Sequence, residues 1–266
     1  RHKTEEDTSA AREVLEQMIR YKKKMYDKVQ RKMAEEQIHL HAHRQEMQEL
    51  EHKISDLERK KLSYPEAVTR LLAEIGKEFA RLGRKAEPCV LCEALEICDE
   101  SWRNAVEGYL NTQRFYVLVE PENFDIALGI YDRLRREKKA YGAGLINAQN
   151  MEQYDKAPEG TLAAAVTSKN RYARRFINMV LGKVQMCGRY EDLKKYPVSI
   201  TRECMKYQNR VASAIRPEIF KVPFIGKNAF KVQLEQAREE KKNLADLIEK
   251  KEKNLRNLEQ ITEPLE

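Results

Sequence analysis

The chain has 266 residues, 50 of them Lys or Arg against 43 Asp or Glu, with a net charge of +7, 35% charged residues and 8% aromatic. A composition this polar excludes one ordinary globule throughout and requires a large share of solvent-bathed helix. No run of about eighteen apolar residues exists, which excludes a membrane-spanning helix, and the basic balance permits a polyanionic partner without requiring one.

The chain opens on Arg1 in mid-pattern, without a charged-then-apolar leader, so a piece of a longer protein with no secretory signal is expected. Residues 1 to about 61 contain no Pro or Gly and are dense in helix formers. Tyr26, Met33, Leu40, Met47 and Ile54 lie seven apart, with Val29, Leu50 and Leu57 filling most of the intervening series, which is a heptad seam. Val14, Met18, Tyr21 and Met25 keep the same rhythm in a frame that joins the later one only through an extra residue, so a local change of supercoil is expected near Met25 to Val29. Ser63-Tyr64-Pro65-Glu66 reads as a helix stop and restart, with Pro65 at the first helical position. An amphipathic helix carrying Val68, Leu71, Leu72, Ile75, Phe79 and Leu82 then runs to Gly83.

From Val90 to Ile97 an apolar run reads as a strand; Trp102, Val106, Tyr109 and Leu110 follow at helical spacing, then the β-rich run Phe115 to Val119. The pattern returns about seventy residues later: Leu162 to Val166 is the apolar run, Tyr172, Phe176, Met179 and Val180 repeat the helix, and Val184 to Cys187 repeats the second strand. Between the copies, Pro121 opens a helix with Phe124, Ala127, Leu128, Tyr131 and Leu134 on one face, and Ala143 to Ala148 reads as a strand. Strands are also expected at Tyr196 to Thr201 and Tyr207 to Ile215, with Pro217, Pro223 and Gly226 punctuating the return to a second heptad series. That series, Phe230, Leu234, Ala237, Leu244, Ile248, Leu255 and Leu258, carries Lys241 and Lys251 as the only charges on its seam, where they weaken the coil and help fix its register. The expected organisation is an N-terminal arm (1–61), a connecting helix (62–85), an α/β domain of two pseudo-repeated halves (86–226) and a C-terminal arm (227–266), the arms pairing as an antiparallel intrachain coiled coil with the domain at its tip. The N-terminal arm is the longer, leaving residues before about 27 without a partner.

Five cysteines, Cys89, Cys92, Cys98, Cys187 and Cys204, fit reduced thiols in a cytosolic protein better than a disulfide framework. Cys89 and Cys92 form a CxxC, but Val90 and Leu91 favour a strand, which points residues three apart to opposite faces, and no second pair completes four ligands; buried thiols are the preferred reading. His39 and His43 share a helical face at i, i+4, but His43 falls on the seam, so a coiled-coil layer is preferred over a metal site. No metal or cofactor is expected. Two basic clusters, Arg133, Arg135, Arg136, Lys138 and Lys139, then Lys169, Arg171, Arg174 and Arg175, read equally as a phosphate-tracking surface and as solvated helix faces. Tyr172 and Tyr190 are the nearby aromatics able to stack on bases, and both also suit the core. Gly226-Lys227 lacks the upstream glycine of a phosphate-binding loop, no GxGxxG or GxSxG occurs, and the domain contains no histidine, so a catalytic role is not expected.

The run ALEICDESWRNAVEGYL, with Trp102, Ala105, Val106, Glu107 and Leu110 in the places of the pattern, together with the return VPFIGKNAF, resembles the hinge of SMC-family ATPases. Within that family it is similar to the bacterial MukB-type and Wadjet JetC-type subunits. The resemblance covers about residues 64 to 232 by motif, and the rest by coiled-coil character. It implies a dimerisation hinge with proximal arms, in a DNA-entrapping or DNA-translocating machine of the bacterial nucleoid. ATP hydrolysis would lie in head domains outside this chain, with kleisin-type and accessory subunits as further partners, double-stranded DNA as the substrate and no membrane. Family hinges carry glycine-rich stretches late in the second half that build a toroidal dimer, whereas Thr201 to Pro217 contains no glycine here, which implies a smaller or differently built interface. Tyr141, Leu145, Tyr207 and Val211, on exposed sheet edges, are the expected dimer surface. The alternative is a coiled-coil protein whose inserted domain recruits a protein partner with no DNA contact.

Overall fold

The computed structural model describes residues 2–262, with side chains from Ala11 onward. The chain divides into two compact units, Arg1–Glu58 with Leu234–Glu266, and Arg59–Gln233. Among the described residues no helix is long and apolar enough to cross a membrane.

The first unit is a helical coil. Helix α1 (His2–Glu58) buries Val29, Leu40, Leu50 and Leu57 and half-buries Met33, Glu36, His43, Met47 and Ile54, so the four-and-three rhythm faces a partner. Helix α7 (Ala229–Thr262), about 50 Å long, supplies it with Ala237, Leu244 and Thr262 buried and Ile248, Leu255 and Leu258 half-buried. Ion pairs join Glu58 to Arg238 (2.9 Å), Glu51 to Lys241 (2.8 Å), Arg44 to Glu252 (2.8 Å) and Glu36 to Lys251 (2.9 Å). The residue number on α7 rises broadly as that on α1 falls, so the helices run antiparallel. Both seam lysines expected to set the register are held by a glutamate of α1. Upstream, Val14, Leu15, Met18, Ile19 and Tyr21 are exposed.

The second unit is α/β. Helix α2 (Glu66–Arg81), which Pro65 precedes as its N-cap, buries Val68, Leu71, Ile75 and Phe79 in the core. The first half then runs β1 (Cys89–Val90), a 3-10 turn (Leu91–Ala94), β2 (Glu96–Ile97), α3 (Arg103–Leu110), β3 (Val117–Leu118), α4 (Phe124–Arg136) and β4 (Leu145–Ile146). The second runs through a 3-10 turn (Leu162–Ala165), β5 (Val166–Thr167), α5 (Arg171–Leu181), β6 (Gln185–Cys187), a 3-10 turn (Tyr190–Lys195) and β7 (Val198–Thr201). Strand β1 pairs antiparallel with β3, which pairs parallel with β4; the Thr161 bridge to Gln185 is antiparallel, and β6 pairs parallel with β7. The two halves therefore repeat one topology.

The repeat corrects two sequence expectations. Each apolar run is a short extended piece, a 3-10 turn and a second extended piece rather than one strand, because the turn lets the chain leave its own sheet. Between the two halves β2 pairs antiparallel with β5, Glu96 opposite Thr167 and Ile97 opposite Val166. Cys98 N donates to Ala165 O at 2.8 Å and Ser168 Oγ to Ala94 O, and these two alanines hold equivalent places in their turns. The register is 71 residues rather than the seventy that aligns the aromatics: Leu91–Ala94 matches Leu162–Ala165, and Asp99, accepting from Ser101 N, matches Asn170, accepting from Tyr172 N and Ala173 N. Caps set the start of a helix, so Trp102 corresponds to Ala173 and Glu107 to Asn178.

A third correction lies at the end of the sheet. The expected strand Tyr207 to Ile215 is the middle of a hairpin, β8 (Met205–Gln208) and β9 (Val211–Ala214), turning at Asn209 and Arg210 with φ of 53° and 62°. Left-handed φ at both central residues is the two-residue hairpin turn that matches strand twist. Arg210, where Gly usually stands, hid it.

The seam pair Glu36–Lys251 has side chains 14% and 21% exposed, against 52% and 43% for Glu51–Lys241. Lys251→Ala should therefore lower the melting of the coil, followed by circular dichroism, by about 1–3 kcal/mol because it orphans a largely buried carboxylate. Lys241→Ala should cost less than about 1 kcal/mol.

Candidate interaction edges and basic surfaces

The four-stranded sheet, in the order β6-β7-β8-β9, rests on β7, where Ser199, Ile200 and Thr201 are buried and Ser199 Oγ donates to Leu193 O at 2.7 Å. Strand β8 leaves β7 through a tight turn closed by Cys204 N to Thr201 O (3.1 Å), with Cys204 at φ 64°. Strand β9 pairs with β8 over four residues and has no strand on its other side among the described residues. All four of its residues are exposed, Val211 by 60%. An edge of this kind presents an unpaired row of backbone donors and acceptors.

Beyond β9 the chain is tied down by a buried charge cluster. Ile215 and Phe220, the latter closing the short helix α6 (Pro217–Phe220), lie so near Gly108 of α3 that a Cβ there would stand 3.2 and 3.3 Å from them. Glu107, wholly buried, accepts from the backbone N–H groups of Phe224 and Ile225 through Oε1, both at 2.8 Å, and from Arg114 Nη1 through Oε2 at 2.7 Å. Arg114 Nη2 donates to Ile219 O at 2.7 Å, and Arg103 Nη1 to Ile225 O at 2.8 Å. The Arg114 guanidinium lies over Phe115 (4.8 Å) and Phe224 (5.1 Å), whose rings meet edge to face at 4.7 Å. Tyr64 completes the aromatic group, 6.2 Å from Phe115 and 6.3 Å from Phe224, and donates to Glu93 Oε1 at 2.7 Å. Burial, with Cys92 and Glu93 alongside, raises the Tyr64 phenol well above its ordinary range. The segment by which the chain leaves the domain is thus held on one buried carboxylate and one guanidinium, and the entering Tyr64 packs on the aromatic rings beside them. Sequence reasoning did not assign Glu107 this role; the available signal was an acidic residue inside the otherwise apolar stretch Ala105 to Gly108, all of it buried.

The residues expected at a dimer surface are spread over several elements. Leu145 lies on β4, a two-residue edge beside β3, and is half-buried; Tyr141, in the loop before it, is 66% exposed. Val211 lies on the open edge, whereas Tyr207 lies on β8, which is paired on both sides.

Five of the nine cations in the two basic clusters are paired with carboxylates. Arg133 pairs with Glu74 (2.9 Å), Arg135 and Arg136 with Asp132 (2.8 and 3.1 Å), and Lys139 with Glu137 (2.8 Å), while Lys138 takes a left-handed turn at φ 58°. Lys77, with Arg133 beside it, holds the Glu74 carboxyl below its usual range, as Arg135 does Asp132 and Lys139 does Glu137. In the second cluster Arg174 donates to Ala163 O and Val166 O, closing a turn of its own half, and Arg175 pairs with Asp155 (2.6 Å) and Glu152 (3.2 Å). Arg171 lies over the Tyr172 ring at 4.7 Å, and Lys169 is exposed. Tyr190 is 69% exposed on the turn before β7.

Among the described residues no group of His, Cys, Asp and Glu is arranged to hold a metal ion. The chain turns between Cys89 and Cys92, contrary to the expected continuous strand, but burial pushes the Cys89 thiol up to about 11 and Cys92 higher still. Burial also raises Cys204 to about 11, and Cys98 is the exposed thiol of the five.

No family model matches this chain, and no curated protein matches it. Solved structures similar to it include the Smc hinge domain of Pyrococcus furiosus with an extended coiled coil, at 15% identity over 93% of this chain and 90% of that one, with a TM-score of 0.43. A second is an asymmetric dimer of the Geobacillus stearothermophilus SMC hinge domain, at 13% identity over 87% of this chain and 97% of that one, TM-score 0.48. A third, the folded elbow of cohesin, covers 94% of this chain and 38% of that one at 14% identity, TM-score 0.45.

Glu107→Ala should destabilise the domain by about 3–5 kcal/mol in chemical denaturation, because it strands the Arg114 charge and two backbone N–H groups without an acceptor. Maleimide labelling of the native chain at pH 8 should yield one adduct, at Cys98, with the other four cysteines reacting only on unfolding.

Proposed function

We propose that Arg59–Gln233 is a self-association module of the SMC-hinge kind, and that the helices of the coil are its proximal arms. The observation that carries this reading is β9, whose four residues are all exposed and whose outer side has no neighbouring strand among the described residues, on a sheet anchored by the buried strand β7. A second copy adding its own edge satisfies the open backbone groups of both. The edge is short and contains no glycine, in keeping with a smaller interface than a glycine-built ring. Val211 lies at this edge, with Tyr207 one strand further in on β8; Leu145, with Tyr141 beside it, offers a second edge at β4. The resemblance of ALEICDESWRNAVEGYL to SMC hinges points the same way, and the buried position of Glu107 gives that motif a structural role.

In the parent machine the chain would act mechanically. Two modules associate, their arms lead to heads that hydrolyse ATP, and the cycle opens, closes or bends the assembly around duplex DNA, with kleisin-type and accessory subunits bound elsewhere. The similarity to MukB-type and JetC-type subunits favours a bacterial, cytoplasmic machine of chromosome organisation or plasmid defence. An exposed edge also accepts an extended peptide, which is the recruitment reading.

Sedimentation equilibrium of the full chain decides between them. The wild type should form a dimer, and Val211→Lys should weaken it at least tenfold while leaving the melting temperature nearly unchanged, as expected of a surface site. A wild type that stays monomeric up to about 100 μM, well above the Kd of a specific interface, would overturn self-association and favour recruitment.

A further inference from the structure

The strongest uncompensated charge lies in the coil, outside the clusters that the sequence singled out. From Arg20 to Lys32, about 18 Å of α1, Asp27 is the only acid. Arg20, Lys24, Lys28 and Lys32 stand four residues apart and therefore form one row along the helix, with Lys23 and Arg31 flanking it. Like charges at this spacing oppose the helix that carries them. Several other cations of the coil and domain are paired: Arg12 and Arg20 share Glu16, Arg44 reaches Glu252, Arg135 and Arg136 meet Asp132, and Arg175 meets Asp155. Lys22, Lys23, Lys24, Lys28, Arg31 and Lys32 have no ion pair among the described residues, and all are exposed.

We infer that this stretch of α1 is a binding track for the phosphate backbone of duplex nucleic acid. A linear array of exposed, unpaired cations fits a linear array of phosphates and releases the counterions condensed on it. The apolar residues within the stretch turn into the coil, Val29 buried and Met25 and Tyr26 half-buried, so it offers no apolar face for insertion into a bilayer. Tyr21 is the one exposed aromatic in it, too little for the stacking platforms that hold single strands. The contact is to phosphate alone and carries no base preference. This inference rests on the DNA part of the proposed function and is independent of dimerisation: it places the contact on the arm rather than on the domain's basic clusters.

The test is fluorescence anisotropy of a labelled 30-base-pair duplex with the full chain over a salt series, for the wild type and for K24Q/K28Q/R31Q/K32Q, which keeps good helix formers throughout. About four phosphate contacts predict a slope of log K against log salt near −4 for the wild type. The variant should lose about 3 of that slope and roughly tenfold or more in affinity at 100 mM salt, with helicity unchanged by circular dichroism. Equal slopes in the two proteins would overturn the arm site while leaving DNA binding elsewhere in the chain. No duplex binding by the wild type at 50 mM salt would overturn both the arm site and the DNA reading. Tighter association with vesicles containing phosphatidylserine than with the duplex, lost in the same variant, would overturn nucleic acid as the ligand.

Discussion

The domain depends on one buried ion pair. Glu107 and Arg114 belong to the first half of the repeat, yet three of their hydrogen bonds go to the backbone of the segment that leaves the second half: the carboxylate accepts from Phe224 and Ile225, and the guanidinium donates to Ile219. A buried charge costs several kcal/mol unless its partners are complete, so this segment has one arrangement in which the pair is satisfied. Tyr64 and Phe224 pack against Phe115 around the same cluster, so the entering residue Tyr64 meets the leaving segment through aromatic contacts beside the polar pair. Gly108 lets Ile215 and Phe220 come down on α3 beside it.

The pseudo-symmetry of the halves explains where this cluster sits. Glu107 and Asn178 occupy equivalent positions, and both are buried polar groups on the central helix of their half. Asn178 donates to Tyr154 O at 2.7 Å, in the connector that precedes its half, whereas Glu107 holds the segment that comes after the other. A neutral amide serves where one carbonyl must be met. A carboxylate serves where two N–H groups and a guanidinium converge. The halves share a topology and differ at the position where the chain has to be tied.

The hairpin β8–β9 is the second half's addition to the repeated topology, and it ends the sheet on an open edge. The edge is short and its turn carries Arg210, devices that limit uncontrolled pairing while leaving a defined surface. Charge is arranged on the same logic of completion. On α4 and α5 the arginines, Arg171 apart, are spent on carboxylates and carbonyls within the domain, and on α1 between Lys22 and Lys32 the cations are not.

Much of this was legible in the sequence, for reasons of periodicity. Heptads in both arms gave the coil, because a seam that buries every third and fourth residue leaves its rhythm in the residue types. The two seam lysines marked the register, and the returning apolar pattern marked an α/β domain of two halves. Less legible were local signals that depart from the usual residue types, and anything set by contacts far apart in the chain. The 71-residue register comes from caps at Asp99 and Asn170 rather than from the aromatics, which align one residue away. The hairpin turn at Asn209-Arg210 lacks the glycine that announces such turns, so two strands read as one. The partners of Arg133 and Arg175 could not be seen, because Glu74 lies 59 positions from Arg133 and Asp155 20 from Arg175. Local propensity and spacing are written along the chain; the partner of a charge, and whether a strand has a neighbour on both sides, exist only once distant segments have been brought together.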